Sequence, residues 1–216
     1  MARPRSTGYA DQRGKILASA AQLFALRGYS ATSMNEVANG CGVSKATLYH
    51  YFTDKYDLLA SIADGHVSRL VVLVDKVQAQ PLAPEQKLRA LIHGLLLEYA
   101  DAQHAQRVLT AEARFLNADD ARRVADKERK VVAVCAALVV ALRPDLAAVQ
   151  LPKPLTMLLF GMINWLFTWM KPGGALDHAA MAPIVADLFL GGLPAVRASV
   201  GSGHGSLLGM LPEPAV

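Results

Sequence analysis

The chain has 216 residues, of which 53% are hydrophobic and 19% charged, and its formal net charge is +4. Its 16 glycines and 11 prolines are close to average usage, which excludes collagen-like and wholly disordered chains. The two cysteines, Cys41 and Cys135, lie far apart and give neither a disulfide framework nor a zinc-binding spacing.

The net positive charge is concentrated in the first quarter of the chain. Residues 1–55 hold seven Lys or Arg against three acids, whereas residues 56–216 hold fifteen of each sign. A local excess of positive charge attracts a polyanion, while a balanced segment does not. The distribution therefore predicts two parts with different functions.

Hydrophobic residues recur at helical spacing along almost the whole chain, and no stretch alternates like a strand, so the predicted fold class is all-α. The first helix is predicted from Asp11 to Arg27, ending at Gly28, which suits a left-handed cap. Ser33 and Glu36 are spaced as a capping box for a second helix of about two turns.

A tight connection over residues 40–43 leads to a third short helix, capped by Ser44 and ending near Tyr51. Two short helices joined through glycine predict a helix-turn-helix. Leu48 and Phe52, four residues apart, are expected to point inward and hold the third helix against the first.

Six further helices are predicted, over about residues 54–80, 84–100, 101–116, 117–142, 154–170 and 177–190. From Gly191 onward the chain is rich in Gly, Pro and Ser, which predicts a mostly disordered tail that takes no part in the fold. The expected division is a DNA-binding domain over residues 1–54, a ligand-binding and dimerisation domain over 55–192, and the tail over 193–216.

The segment from Arg27 to Lys55 resembles the DNA-binding domain of the TetR family of bacterial transcriptional regulators. The family's Leu-Tyr-x-Tyr/His-Phe-x-x-Lys run is met at Leu48, Tyr49, His50, Tyr51, Phe52 and Lys55, after Gly42-Val43-Ser44 in the turn. The resemblance covers residues 10–60, and the remainder matches only in length and helix pattern. It implies a homodimeric, ligand-responsive repressor in the bacterial cytoplasm, associated with the nucleoid.

Seven side chains are candidate DNA contacts. Small and polar groups at the start of the third helix fit a major groove about 12 Å wide, and the following aromatic and basic groups reach flanking phosphates. Ser33 and the first amides of the second helix offer another phosphate site. The predicted contacts are Ser33, Ser44, Lys45, Thr47, Tyr49, His50 and Lys55. Alternatively, Tyr49 is a core aromatic, Lys45 a solvated lysine, and Lys55 a partner of Asp54.

The last two predicted helices are too apolar to leave in water, which predicts a dimer interface. Its expected residues are Leu155, Leu158, Leu159, Met162, Leu166, Ile184, Val185, Leu188 and Phe189. The uncharged run over 154–170 is shorter than a bilayer span normally needs, so no membrane partner is expected. The expected partners are a second copy, a near-palindromic DNA operator and a small-molecule inducer.

The run from Gly161 to Gly174 is similar to a segment of a TetR subgroup that responds to acyl-CoA or aryl-CoA thioesters. Two tryptophans four residues apart would wall an acyl pocket, and arginines would bind the phosphates. The candidate ligand-binding residues are Tyr99, Arg107, Arg114, Phe115, Arg122, Arg123, Trp165 and Trp169. Alternatively, the tryptophans pack in the dimer core and the arginines are solvated. Asn164, a polar residue in an apolar helix, is expected to face either the dimer partner or the ligand.

Other classes of function find less support in the sequence. It has no nucleophile elbow, no phosphate-binding glycine loop and no metal-binding pair, so neither an enzyme nor a resident cofactor or metal is expected. A purely structural helical bundle does not explain the localised charge. Two regulators of the same family stay open: one that senses a hydrophobic molecule unrelated to CoA for efflux or stress genes, and one that responds to a partner protein.

Overall fold

Helices make up all the regular structure of residues 7–170 and 176–198, the part of the chain that the computed structural model describes. The α-helices of this part are α1 (Thr7–Arg27), α2 (Met34–Gly40), α3 (Lys45–Tyr51), α4 (Lys55–Gln78), α5 (Pro84–Asp101), α6 (Gln103–Glu112), α7 (Ala118–Leu142), α8 (Pro152–Trp169) and α9 (His178–Gly192). Short 3-10 turns follow α6, α7 and α9. The predicted all-α fold is confirmed.

Local chemistry sets the helix ends where the sequence predicts them. The Ser33 hydroxyl accepts from the Glu36 amide at 3.2 Å, and the Glu36 carboxylate accepts from the Ser33 amide at 2.8 Å, which is the expected capping box. Ser44 Oγ accepts from the Thr47 amide at 3.0 Å and begins α3. Gly28 ends α1 with a φ of 86°, a left-handed conformation that glycine adopts without a steric cost.

The described chain has two large hydrophobic cores and a small cluster of Ala63, Val67, Leu109 and Val124. The head core is formed by α1–α3, the first two turns of α4 and Val108 of α6. The body core is formed by α4 from Leu70 onward with α5, α7, α8 and α9. Leu58 and Ile62 of α4 lie in the head core, while Leu70 and Val74 lie in the body core. The boundary expected at residue 54 therefore precedes a helix that both cores share.

The helix expected over residues 101–116 is interrupted at both ends. Ala102, with φ −121° and ψ 31°, separates α5 from α6, and residues 113–115 form a 3-10 turn. The resulting α6 packs against both α1 and α4. Val108 of α6 is buried in the head core, so this short helix connects the body to the head.

The prediction that residues from 193 onward take no part in the fold is wrong for residues 193–196. Leu193 is buried in the body core, and Arg143 donates to the carbonyls of Leu193 at 2.5 Å and Val196 at 2.9 Å. Apolar burial and two charge-assisted hydrogen bonds hold this segment in the fold. Residues 199–216 of the expected tail lie outside the described residues.

Helices α8 and α9 bury one side in the protomer and expose an apolar side. Four residues expected at a dimer interface, Leu159, Leu166, Val185 and Phe189, instead lie in the body core. The exposed side, here called the outer face, consists of Leu158, Trp165, Trp169, Ile184 and Leu188. Within the described residues, only the segment 178–195 is long and apolar enough to cross a membrane. Core helices pass the same test, and α9 packs on α5.

Candidate DNA-binding surface and ligand cavity

An open groove lies between α2, α3 and the first residue of α4. Its lining residues are Ser30, Ala31, Thr32, Ser33, Met34, Asn35, Lys45, Tyr49 and Lys55. Four of the seven predicted DNA contacts are brought together here: Ser33, Lys45, Tyr49 and Lys55. The lining holds two lysines and no acidic side chain, so it attracts an anion such as a phosphate. We call it the basic groove.

The side chains of α3 divide between the head core and solvent. Leu48 and Phe52 are fully buried, as predicted, and fix α3 against α1. Tyr49 is 45% exposed, which rules out the alternative that it is a core aromatic. The exposed Lys45 places its Nζ 5.9 Å from the centroid of the Tyr49 ring, and this cation–π contact holds both groups over the groove.

Lys55 is held at the groove by backbone carbonyls. Its Nζ donates to the carbonyl of Tyr29 at 2.9 Å and to that of Ser30 at 3.2 Å. It also lies 4.6 Å from the centroid of the Tyr29 ring. Asp54 accepts from the Asp57 amide and caps α4, so the alternative pairing of Lys55 with Asp54 is not formed. The ammonium is fixed in position and still lines the groove.

Ser33 lies on the groove with its hydroxyl already engaged in the capping box. The Glu36 carboxylate accepts from Ser33 and from Arg27 Nη1, the latter at 2.8 Å. The backbone and side-chain hydrogen bonds from Ser33, together with Arg27, lower the pKa of Glu36. The chain's own carboxylate therefore lies at the N-terminus of α2, and a direct phosphate contact by Ser33 stays a prediction.

The other three predicted contacts, Ser44, Thr47 and His50, are exposed but do not line the basic groove. The hydroxyls of Ser44 and Thr47 hydrogen-bond each other at 2.8 Å. The His50 ring packs edge-on against Tyr51, at 5.4 Å between centroids, and against Tyr9 of α1 at 6.1 Å. Together with Ala46, these three side chains make up the rest of the exposed surface of α3 and its N-cap residue.

A second concave site lies inside the body, among α4, α5, α6, α7 and α8. This body cavity has a volume of about 250 Å³. Its lining residues are Leu70, Tyr99, Gln106, Leu109, Thr110, Glu128, Val131, Val132, Met157, Phe160 and Asn164. The lining is mainly apolar, with a few polar groups and no Lys or Arg, which is typical of small-molecule sites. Among the predicted ligand residues, Tyr99 alone lines it.

The two tryptophans do not wall the body cavity within the protomer. Trp165 is 67% exposed and Trp169 is 52% exposed, and both lie on the outer face. The cavity is lined instead by Met157, Phe160 and Asn164, which follow a different stripe of α8 because of the helical period. Residues 171–174, which complete the run matched to the thioester-responsive subgroup, lie outside the described residues.

The predicted arginines do not form a cluster at the body cavity either. Arg122 pairs with Asp119, and Arg123 pairs with Asp64 and Asp120. Arg107 and Arg114 are exposed and form no ion pair with the described residues, and Arg114 lies over the Phe115 ring. Phe115 packs on Tyr29 of the head, 5.2 Å between centroids. Separate ion pairs and stacking contacts account for most of these side chains.

A buried polar network behind the cavity was not predicted. His66 is fully buried, and its Nε2 lies 2.6 Å from Gln106 Oε1. Gln106 Nε2 donates to Asn164 Oδ1 at 3.4 Å, and Arg69 Nη2 lies 3.3 Å from His66 Nδ1. The sequence signal for this network was the presence of polar residues, His66 and Gln106, at positions of α4 and α6 that the helical period places on the buried side. Burial lowers the pKa of His66 to about 4, so the imidazole is neutral near pH 7.

Comparisons with known proteins agree with this two-part arrangement. A family described as "Bacterial regulatory proteins, tetR family" matches residues 16–62, and "Tetracyclin repressor-like, C-terminal domain" matches residues 81–193. The transcriptional activator FasR of Mycolicibacterium smegmatis is 37% identical over 84 residues. That match spans 39% of this chain and only 38% of FasR, less than two thirds of the relative's length.

Two solved structures share the fold over most of the chain. A TetR-family regulator from Bordetella parapertussis is 33% identical, with a TM-score of 0.78, covering 87% of this chain and 98% of that one. AibR, crystallised with isovaleryl coenzyme A and operator DNA, is 24% identical with a TM-score of 0.69. Its match covers 82% of this chain and 97% of AibR. At that identity, the likeness to AibR concerns the fold alone.

The buried His66 predicts a specific acid sensitivity. Its folded pKa of about 4 lies below the ordinary value of 6.5, so the unfolded chain binds the proton more readily between these values. Stability from this group is complete above pH 6.5 and is lost as the pH falls toward 4, by about 3 kcal/mol. We expect urea titrations to give a wild-type unfolding free energy that decreases more than that of His66→Gln over this range. His93→Gln removes an exposed imidazole and is the control for losing a histidine. An unfolding free energy that decreases equally with pH in wild type and His66→Gln would contradict the prediction.

Proposed function

The chain belongs to the TetR family of bacterial transcriptional regulators, and we propose that it acts as a homodimeric repressor that a small apolar ligand releases from its operator. It is a regulator and not an enzyme. The observation that carries the proposal is the pairing of an exposed, basic recognition surface on α3 with a mainly apolar cavity that α6 lines. The short helix α6 contacts both the head and the cavity.

The head supports DNA binding by its charge and its shape. A short helix with small polar groups at its start enters a major groove, while lysines on the flank attract phosphates. Lys45, Tyr49 and Lys55 line one open surface, and Leu48 and Phe52 hold the helix that presents it. We assign Lys45, Tyr49 and Lys55 to phosphate contacts and Ser44, Thr47 and His50 to the surface facing the bases.

Dimerisation is assigned to the outer face of α8 and α9. Its large apolar side chains are more than 40% exposed in the protomer, and exposed apolar surface of this size is typical of an interface. A two-fold dimer presents two recognition helices to the two halves of a near-palindromic operator, which compensates for the weak binding of one module. Because the proposed operator is bacterial DNA, we infer that the protein acts in the cytoplasm.

Ligand release follows from the position of α6. Gln106 and Leu109 line the body cavity, while Val108 of the same helix is packed in the head core. A ligand that alters the position of α6 therefore alters the position of the head. For release, the ligand must bind more tightly to the arrangement whose two recognition helices do not fit the operator.

A CoA thioester is our first candidate for the inducer. AibR, which has the same fold, was crystallised with isovaleryl coenzyme A. The cavity of about 250 Å³ has room for a short acyl or aryl group and not for a nucleotide, so the phosphates would lie outside. Exposed Arg107, one turn from the cavity-lining Thr110, is the basic side chain that we assign to them. The lack of basic residues in the lining supports a second candidate, an apolar molecule unrelated to CoA.

Substitutions in the basic groove test DNA binding. We expect Lys45→Ala to weaken binding to the DNA upstream of the coding region and to reduce the slope of log affinity against log salt by about one, since one phosphate contact is lost. Tyr49→Ala should weaken binding by about tenfold or more, with no change in melting temperature. Fluorescence anisotropy at several salt concentrations measures both. Lys76→Ala, an exposed lysine on α4, is the matched control; full affinity in both groove variants would refute the assigned surface.

Release from the operator tests the inducer. We expect a thioester with a short acyl or aryl group, such as isovaleryl-CoA or phenylacetyl-CoA, to reduce operator affinity at least about tenfold in the same assay, and palmitoyl-CoA to have a smaller effect. Free CoA and the free acids are the controls for the two halves of the ligand. Arg107→Ala should weaken the response to the thioester and leave operator affinity without ligand unchanged. A complex that no thioester releases would exclude the first candidate and retain the second.

A charge on the outer face tests dimerisation. Leu158→Glu and Leu188→Glu replace side chains that are each 64% exposed in the protomer. We expect each variant to sediment as a monomer at micromolar concentration, because a carboxylate would be buried at the two-fold interface. Val72→Glu, at a valine 65% exposed on α4, is the matched control and should remain dimeric. Dimeric Leu158→Glu and Leu188→Glu would place the interface elsewhere.

A further inference from the structure

Four side chains form a continuous chain of hydrogen bonds from the surface of α4 to the body cavity. Arg69 Nη2 lies 3.3 Å from His66 Nδ1, His66 Nε2 lies 2.6 Å from Gln106 Oε1, and Gln106 Nε2 lies 3.4 Å from Asn164 Oδ1. The chain thus joins α4, α6 and α8. Glu98 pairs with Arg69 at 3.2 Å and holds its guanidinium at the outer end.

The direction of every bond in this chain follows from its first member. A guanidinium has only donors, so His66 Nδ1 must accept from Arg69. The neutral imidazole then carries its proton on Nε2 and donates to Gln106 Oε1. Gln106 must therefore present its NH₂ group to Asn164, whose carbonyl oxygen accepts. Arg69 in this way determines which end of each amide faces which neighbour.

The consequence for the cavity is that the NH₂ group of Asn164 is not used in this chain of hydrogen bonds and can donate to another molecule. Its Nδ2 makes no hydrogen bond to the described residues, and Asn164 lines the cavity. The Tyr99 hydroxyl, on a side chain only 6% exposed, is also without a hydrogen-bond partner among them. Burial raises the pKa of Tyr99, so this hydroxyl stays protonated near pH 7. The cavity therefore offers these two donors, together with the carboxyl of Glu128, against mainly apolar walls.

We propose that the body cavity selects an apolar ligand that carries a carbonyl oxygen, which accepts a hydrogen bond from the Asn164 amide. This inference rests on the proposed function, since it assumes that the cavity is the inducer site, and it names the chemical class of the inducer. Esters, ketones and thioesters all meet the requirement; a plain hydrocarbon does not. Asn164 contacts the ligand, whereas Gln106, His66 and Arg69 are positioning residues.

The energetic basis is the cost of excluding water from a hydrogen-bond donor without replacing its hydrogen bond. A hydrocarbon in the cavity excludes water from the Asn164 amide without replacing its hydrogen bond, whereas a carbonyl replaces it. Sites built around a polar group discriminate against analogues that lack the matching atom by much more than apolar pockets discriminate on size. The difference in affinity between a ligand with a carbonyl and one without should be measurable with small probes that fit the cavity.

Acetophenone and ethylbenzene are suitable probes, because they differ mainly by the carbonyl oxygen. Dissociation constants come from titrations followed by the side-chain amide and backbone resonances of the full-length protein. We expect the ratio of the ethylbenzene to the acetophenone constant to be about tenfold higher in wild type than in Asn164→Leu or Asn164→Asp, since both variants remove the donor. Gln103→Leu, which changes an exposed amide of α6 outside the cavity, should keep the wild-type ratio. Equal ratios in wild type and Asn164→Leu, or no binding of either probe to wild type, would overturn the proposal.

The positioning role of Arg69 can be tested separately, through the tautomer of His66 and the ratio of the probe dissociation constants. Nitrogen-15 spectra of the His66 ring should show the Nε2–H tautomer in wild type. Arg69→Met should lower the probe ratio toward that of Asn164→Leu with the ethylbenzene constant unchanged, and Arg69→Lys, which keeps a donor, should restore it. An Nδ1–H tautomer in wild type, or an unchanged ratio in Arg69→Met, would refute the direction derived for the chain.

Operator binding measured on the same samples separates this inference from the proposed function. A wild-type protein that shows the probe preference but does not bind DNA would contradict the proposed function and support the cavity chemistry. A protein that binds DNA and is released by a thioester, with no difference between the probes, would support the function and overturn the inference.

Discussion

The packing of α6 is the constraint on which the rest of this architecture depends. This helix has only ten residues, yet Val108 is buried in the head core while Gln106 and Leu109 line the body cavity. A helix is a rigid unit over so short a length, so its two sides cannot move independently. Any ligand that displaces the cavity side must also act on the head side. The coupling between sensing and DNA binding therefore requires no long pathway through the fold.

The head and the body differ in how their positive charges are neutralised. The head exposes lysines at the basic groove and holds one of them, Lys55, with two backbone carbonyls, so a cation stays in place without a neutralising acid. The body pairs most of its arginines with carboxylates, as Arg123 does with Asp64 and Asp120. Exposed pairs of this kind contribute little stability, but they cancel the long-range field of the body. The excess positive charge of the chain therefore lies in the head.

Local features of this fold could be predicted from the sequence, and features that depend on distant partners could not. The capping box of Ser33, the cap at Ser44 and the inward position of Leu48 each depend on residues within one or two turns. The environment of an arginine depends on which carboxylate the tertiary fold brings near it, so the ion pairs of Arg122 and Arg123 could not be predicted from the sequence. Similarly, the packing of α6 against both α1 and α4 involves partners that are distant in the chain, and helix propensity carries no such information.

The tryptophans show how one helix can serve two surfaces with different chemistry. On α8, Asn164 lines the cavity and its neighbour Trp165 lies on the outer face, because successive helical residues are rotated by about 100°. A run of sequence shared with a ligand-defined subgroup can therefore reflect the interface as well as the ligand. Both the interface and the ligand site involve the part of α8 around Asn164. The packing of α8 fixes the backbone of Asn164, and Gln106 orients its side chain. A dimer contact on one side of α8 and a ligand contact on the other would then be coupled through a single turn of helix.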